Sequence, residues 1–268
     1  MQINTPSAHG PFDIVGDVHG CLDELLALMA LLGYRVQRLG PEFEVIPPQG
    51  RTLAFAGDLT NRGPNTAGVL RLVMQMVLAG HAICVPGNQD MKLTGALKGS
   101  TVQPTPGLAR SLEQFACETA EFRAAAVEFL EVLPSHLVLD DGNLIIAHAG
   151  LPERMQGSKS AKARAFALFG KTTKTLDEFG RPMRLNWAAG YRGKALVVYG
   201  HTPVAEPLWL NNTVNIDTGC IYGGHLTAVR YPEREIAQVP AKAVYYPFRS
   251  RWMINEALAG PEETGWPV

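Results

Sequence analysis

Phe12-Asp13-Ile14-Val15-Gly16-Asp17-Val18-His19-Gly20 decides the fold, because a short apolar run breaks at a glycine and delivers an aspartate and a histidine to the following loop. Cys21–Leu32 then carries apolar residues at helical spacing, with Asp23 and Glu24 in its first turn, so the segment predicts strand, loop and helix. The unit recurs twice. Thr52–Ala56 runs into Gly57-Asp58-Leu59-Thr60-Asn61-Arg62-Gly63 ahead of a helix over Asn65–Leu78, and His81–Val85 runs into Pro86-Gly87-Asn88-Gln89-Asp90 ahead of a third. Strands alternating with helices predict a parallel sheet whose loops gather at its carboxyl edge.

Residues 110–133 read as helical and alanine-rich, with no chemical signal, and His136–Leu139 with Leu144–Ala149 predict a hairpin around Asp140-Asp141-Gly142-Asn143. Strands return in the second half. Ala195–Tyr199 ends at Gly200-His201-Thr202-Pro203 and Thr213–Ile216 ends at Asp217-Thr218-Gly219, followed by short antiparallel candidates at Leu226–Arg230 and Glu235–Val239. With 268 residues, 46% of them hydrophobic, and no linker, repeat or low-complexity tract, the expectation is one α/β domain over 1–268, with 151–193 as a substrate-facing insert. A net charge of −1 provides no global field for nucleic acid, so recognition of phosphate falls to local residues. Cys21, Cys84, Cys117 and Cys220 lie far apart without a Cys-x-x-Cys pair and read as reduced structural thiols. No basic start with an apolar run and no span of roughly 20 apolar residues is present, so a soluble, cytoplasmic chain with no membrane partner is expected.

The chemistry sits at the strand ends. Asp17 and His19, at i and i+2 of an extended segment, point the same way and make half of a hard N/O site. Asp58 can bridge, and Asn88, His148 and His201, each just after an apolar strand, supply a carbonyl oxygen and two imidazoles for a second ion. Two ions about 3.5–4 Å apart clamp a phosphoryl group and sharpen a bridging water into hydroxide. Without a thiolate the donor set suits manganese first, then iron, zinc or magnesium, with nickel a further candidate. Taken singly, each histidine is more often a core or surface residue and each aspartate an N-cap, but their conjunction in a chain with 7 histidines points to one site. His9, His81, His136 and His225 lack that context and read as structural.

Gly-Asp-x-His-Gly, Gly-Asp-x-x-x-Arg-Gly, Gly-Asn-x-Asp, His148-Ala149-Gly150 and Gly200-His201-Thr202-Pro203 occur in an order that resembles the calcineurin-like metallophosphoesterases, in their phosphoprotein-phosphatase-type branch. Leu168-Phe169-Gly170-Lys171, Asp177-Glu178-Phe179-Gly180, Trp187-Ala188-Ala189, Tyr191-Arg192-Gly193 and Ile216-Asp217-Thr218-Gly219 are similar to two relatives within it. These are the stand-alone bacterial PrpE-type bis(5′-nucleosyl)-tetraphosphatases and the phosphatase module of bacterial polynucleotide kinase-phosphatase; the chain's length favours the former. The resemblance implies a four-layer α/β/β/α sandwich with mixed sheets. It implies Asp17, His19 and Asp58 on one metal and Asp58, Asn88, His148 and His201 on the other, with Arg62 gripping phosphate oxygens as a planar fork.

Two positions depart from the family. Gln89 stands where a histidine usually protonates the leaving oxygen, and Asn61 where an aspartate usually orients it. Neither amide delivers a proton near pH 7, and general acid catalysis is worth about 10²–10⁴ in rate. Adaptation to anhydride substrates, an engineered inactive form and a degenerate binding protein are the three readings of that paired change. A phosphoanhydride of a dinucleoside polyphosphate fits the first, since a nucleotide phosphate leaves as a stable anion. A phosphomonoesterase acting on RNA ends or phosphoprotein, and a weakly active metal-binding homologue, are the alternatives. Ser158–Arg192 is rich in cations, among them Lys159, Lys162, Lys171, Arg181, Arg184 and Arg192, and is expected either to hold the polyphosphate, Lys171 and Arg192 included, or to be a solvated helix face. Trp187 is expected to pack rather than stack a base.

Overall fold

Phe12–Val15 forms β1, and its alternation sets the layering: Phe12 and Ile14 face one apolar layer while Val15 joins another. The computed structural model describes residues 9–101, 103, 105–176 and 182–247. Asp177-Glu178-Phe179-Gly180 and Arg181 lie outside these residues. After β1 come α1 (Leu22–Leu31), β2 (Arg35–Leu39), β3 (Glu42–Ile46), β4 (Thr52–Phe55), α2 (Thr66–Leu78), β5 (Ala82–Cys84), α3 (Asn88–Leu97), α4 (Pro106–Ala116) and α5 (Ala120–Val132). The second half contributes β6 (Leu137–Leu139), β7 (Leu144–Ile146), α6 (Ala161–Phe169), β8 (Thr172–Leu176), β9 (Pro182–Arg184), β10 (Leu196–Tyr199), β11 (Leu208–Leu210), β12 (Thr213–Asn215), β13 (His225–Tyr231) and β14 (Ile236–Pro240).

Two five-stranded sheets result, ordered β14-β13-β1-β4-β5 and β11-β12-β10-β7-β6. β1, β4 and β5 run parallel as expected, but β13 pairs antiparallel with β1, so the first sheet is mixed. The second is also mixed: β7, β10 and β12 are parallel, with β6 and β11 antiparallel at its edges. Ile14, Ala54 and Ile83 of the first sheet meet Ile146, Val198 and Val214 of the second in a shared apolar layer. The opposite faces are covered separately, Leu53 and Phe55 by residues of α1 and α2, and Ile145 and Val197 by Phe166 and Ala167 of α6. This makes the α/β/β/α sandwich.

Two antiparallel hairpins, β2-β3 and β8-β9, went unread in the sequence. β2 is exposed over most of its length and rich in arginine, so it lacks the apolar alternation that marks a half-buried strand. α6, β8 and β9 lie in the crossover from β7 to the neighbouring parallel strand β10, the place of the expected 151–193 insert.

Asp13 is the one charge inside β1 and is fully buried. Its carboxylate accepts from Arg51 Nε at 3.0 Å and from the Tyr34 hydroxyl at 3.1 Å, and Arg230, its cross-strand partner on β13, places Nε 3.3 Å from Oδ1. The cluster ties β1 to its antiparallel neighbour. Removing one partner of a buried pair strands the other charges, so Asp13→Ala is expected to cost about 3–5 kcal/mol, read as a lower denaturation midpoint in urea; an unchanged midpoint would show the cluster to be ornamental.

Candidate functional site

The loops after β1, β4 and β5 meet those after β7, β10 and β12 at one rim, and they do so through backbone that only particular residues tolerate. His19, Asp58, Asn61, Arg62 and His201 all have left-handed φ angles, of 47°, 48°, 69°, 72° and 74°. Non-glycine residues rarely adopt such angles, and they gather where surrounding structure enforces them, commonly at functional sites. Asp17 and His19 therefore converge through a tight turn beyond the end of β1, not by alternation along an extended strand as the sequence suggested. Glycines let the loops close. A Cβ at Gly87 would stand 2.0 Å from Asp58 Oδ1, and one at Gly200 would stand 2.1 Å from Asp17 Oδ1.

All six candidate ligands come together and five of them are buried, His201 being half-buried. His19 Nδ1 donates to the Thr60 carbonyl at 3.0 Å, and His148 Nδ1 donates to the Ala56 carbonyl at 3.1 Å. Those bonds fix the tautomers and leave each Nε2 lone pair turned to the site. His19 Nε2 lies 3.8 Å from Asp17 Oδ2 and 3.6 Å from Asp58 Oδ2. On the other side, His148 Nε2 lies 3.4 Å from Asp58 Oδ1, 3.1 Å from Asn88 Oδ1 and 2.9 Å from His201 Nδ1. The two Asp58 oxygens thus face two different clusters of donors. Oδ1 also accepts the Gln89 backbone N–H at 2.8 Å, and both Asp17 oxygens accept the His201 backbone N–H, at 3.2 and 3.3 Å.

The electrostatics match a site built for cations. Burial, reinforced by the Asp217 and Asp58 charges, holds Asp17 well above the usual carboxylate range. Burial alone raises Asp58 to about 6, against the pull of Arg62, and burial with repulsion from Asp58 takes Asp217 to about 7. Burial pulls His148 down to about 4 and holds His19 and His201 well below the ordinary imidazole range, Arg62 adding to the effect at His19 and His148 at His201. Neutral imidazoles beside crowded carboxylates are what a divalent ion needs. Asp17, Asp58 and His148 each offer a donor atom within 4.8 Å of the others, and the buried His201 Nε2 has no hydrogen-bond partner.

Arg62 reaches this centre directly, with Nη1 3.1 Å from His19 Nε2. Asn61 and Gln89 flank it. The Asn61 side-chain Nδ2 donates to the Gln89 backbone carbonyl at 2.8 Å, while its Oδ1 is buried without a partner. Arg192 turns elsewhere: its Nη1 donates to the Ala189 and Tyr191 carbonyls at 2.9 and 2.8 Å. Lys171 is exposed at the start of the β8-β9 hairpin. The cations that bear on Asp58 are Arg62, Lys92 and Arg184, the last of which also bears on His148 and His201. Lys92 was unread as a site residue, although it follows Asn88 by one helical turn on the same face of α3. Asp90 carries no signal of its role in the sequence. It organises the loops: Oδ2 accepts the Gly87 and Leu59 N–H groups at 2.8 and 3.3 Å, and Oδ1 accepts Thr60 N–H at 3.0 Å. Trp187 packs against Phe166, Tyr191 and Tyr199, as expected of a core residue.

Comparison with known proteins places the chain. The family model described as calcineurin-like phosphoesterase matches residues 10–226. A bis(5′-nucleosyl)-tetraphosphatase PrpE [asymmetrical] of Anoxybacillus flavithermus is 45% identical over 240 residues, covering 87% of this chain and 96% of that relative. The protein of the same name from Bacillus subtilis is 42% identical over 246 residues, covering 90% and 98%. A crystal structure with a provisional diadenosine tetraphosphatase assignment superposes with a TM-score of 0.63 at 27% identity, covering 90% of this chain and 99% of that one. A serine/threonine phosphatase structure from Saccharomyces cerevisiae, at TM-score 0.58 and 13% identity, shares the fold. With a match that covers the whole second sheet, β1, β4 and β5 of the first, and every one of the converging strand ends, the chain belongs to the calcineurin-like phosphoesterase family.

Proposed function

We propose that this chain hydrolyses a phosphoanhydride of a dinucleoside polyphosphate with the help of two divalent metal ions. One observation carries the reading: six hard donors meet at the rim, five of them buried, while Gln89 and Asn61 beside them carry amides that cannot serve as an acid. The relatives named bis(5′-nucleosyl)-tetraphosphatase, at 45% and 42% identity, support it. Asp17, His19 and Asp58 would hold one ion and Asp58, Asn88, His148 and His201 the other, with manganese assigned first and iron, zinc, nickel or magnesium compatible with the same donors. When bound, such ions supply Lewis-acid polarisation of the phosphoryl oxygens and acidify a bound water.

The protein's own groups do the rest. Arg62 offers a planar fork to the phosphoryl oxygens beside His19, which a lysine's point charge would not match. Lys92 and Arg184, whose charges bear on Asp58, are assigned to the neighbouring phosphates in preference to Lys171 and Arg192. Since Gln89 holds no transferable proton, the leaving group must depart without one. An alkoxide does this poorly, and a nucleotide phosphate does it well.

Two outcomes follow. With Mn²⁺ present, wild type is expected to cleave Ap4A and to leave an alkyl phosphate nearly untouched, and the double variant Asn61→Asp/Gln89→His to gain about 10²–10⁴ on the alkyl ester. Wild type that turns over none of Ap4A, p-nitrophenyl phosphate and alkyl phosphate, beside an active double variant, would sink the anhydride reading; preference for an RNA 3′-phosphate or a phosphopeptide would favour a monoesterase. Second, Asp58→Ala is expected to lose both ions on metal analysis. Retention of two ions per chain would refute the bridging assignment.

A further inference from the structure

Arg62 is held from three sides. Its stem lies against Gly107, where a Cβ would approach Arg62 Cγ to 2.7 Å, and its guanidinium stands beside His19. The remaining side is aromatic: Arg62 Cζ lies 5.9 Å from the ring centroid of Tyr222 and 5.9 Å from that of Tyr246. Both distances fall within the range at which a ring face attracts a cation. Tyr222 ends a tight turn that begins just after Asp217, so one ring arrives with the second sheet's rim. Tyr246 arrives by another route, beyond β14 and beyond the residues 10–226 that match the family.

The segment carrying Tyr246 is fastened rather than draped. Ala241 N–H donates to the Gly224 carbonyl at 2.8 Å. The buried Glu24 on α1 accepts the Lys242 N–H at 2.9 Å and the Tyr245 hydroxyl at 2.7 Å through Oε1, and Lys242 Nζ pairs with Asp23 at 2.7 Å. Tyr245 and Tyr246 then both donate their N–H groups to the Ile221 carbonyl, at 3.2 and 3.1 Å, so one carbonyl in the Tyr222 turn anchors both residues. The backbones that carry the two rings are thereby fastened to each other beside Arg62.

We infer that Tyr222 and the strap-borne Tyr246 are positioning residues that brace the Arg62 guanidinium for the phosphoryl group. The inference rests on the reading of Arg62 as the phosphate grip. A long side chain left to itself loses rotamer entropy each time it binds, and two rings that hold its cation remove that cost in advance. Nearby Lys92, whose charge repels Arg62, makes such a restraint more necessary.

Binding of inorganic phosphate to the Mn²⁺-loaded protein, read by calorimetry, tests this without needing turnover. Tyr246→Leu and Tyr222→Leu are each expected to weaken phosphate binding roughly tenfold, and Tyr→Phe at either position by less than about twofold. In an Arg62→Ala background the Leu substitutions should have no further effect. With Ap4A, the loss should appear in KM and kcat together, and the metal content should stay at the wild-type value. Should a Leu variant fail to fold, Tyr246→pentafluorophenylalanine keeps the ring's shape and reverses its charge distribution, and must weaken binding as strongly. Unchanged phosphate affinity in the folded variants, equal losses with Phe and Leu, or an undiminished effect without Arg62 would each overturn the brace. Wild type that binds phosphate with the expected variant pattern but leaves Ap4A intact would remove the tetraphosphatase reading and leave the brace standing.

Discussion

Everything at the rim depends on the close approach of backbone to the Asp58 carboxylate. Asp58 leaves the first sheet after β4, yet its Oδ1 is seated against the Gln89 N–H and 3.4 Å from His148 of the second sheet, while Oδ2 faces His19. That seat exists because Gly87 has no Cβ and because Asp58 itself accepts a left-handed backbone. Asp90 then holds the surrounding loops by three backbone N–H groups, so the carboxylate is presented by a frame that cannot relax around it. A buried carboxylate left to find its own partners would rotate toward the first donor; this one is kept between two donor clusters.

Such rigidity has an electrostatic consequence. Asp17, Asp58 and Asp217 are all buried, and each is pushed upward by burial, with mutual repulsion adding to it at Asp17 and Asp217. Three histidines in the same volume are pushed the other way and remain neutral. The cations that bear on Asp58 lie on the Asn61–Arg62 loop, on α3 and on β9, and Arg184 also donates from Nη1 to the Phe169 carbonyl at 2.8 Å. Burying anionic groups without counter-charge is costly, so the arrangement makes sense as a receptor for divalent cations inside and phosphates outside.

The candidate ligand positions were legible because each lies at the end of an apolar run, and a run of that kind announces its own boundary. Asp17, Asp58, Asn88, His148 and His201 required only the local pattern and the rule that parallel strands deliver their loops to one edge. Asp217 carried the same signal, but its neighbours gave it no donor partner in the sequence, and its role emerges only from its charge beside Asp17. Lys92 and Tyr246 were illegible for a different reason, and Arg184 was legible only as one of many cations in Ser158–Arg192. Lys92 sits on a helix whose function-facing side is set by one residue, Asn88; Arg184 arrives on a hairpin with no apolar alternation; Tyr246 arrives on an irregular segment held by backbone bonds to Ile221. None of these is encoded in periodicity. The antiparallel strands at Leu226–Arg230 and Glu235–Val239 were legible as strands, but Arg230 opposite Asp13 becomes a cross-strand pair only once β13 is known to lie beside β1.

Asn61 and Gln89 acquire a physical link that the sequence could only suggest. The Asn61 amide spends its N–H on the main-chain carbonyl of Gln89, so it fixes the path of the very residue that would carry an acid. A carboxylate in the same place would make no such bond, because it has no N–H to offer the Gln89 carbonyl. A histidine at 89 would in turn need an oriented acceptor, which the amide's committed N–H does not provide and its unpartnered Oδ1 could. The two positions are therefore coupled through one hydrogen bond, and a change at either alters what the other can do. The N–H of the same residue holds Asp58 Oδ1, so the Asn61 hydrogen bond and the seat of the Asp58 carboxylate lie in the two successive peptide groups that flank the Gln89 Cα.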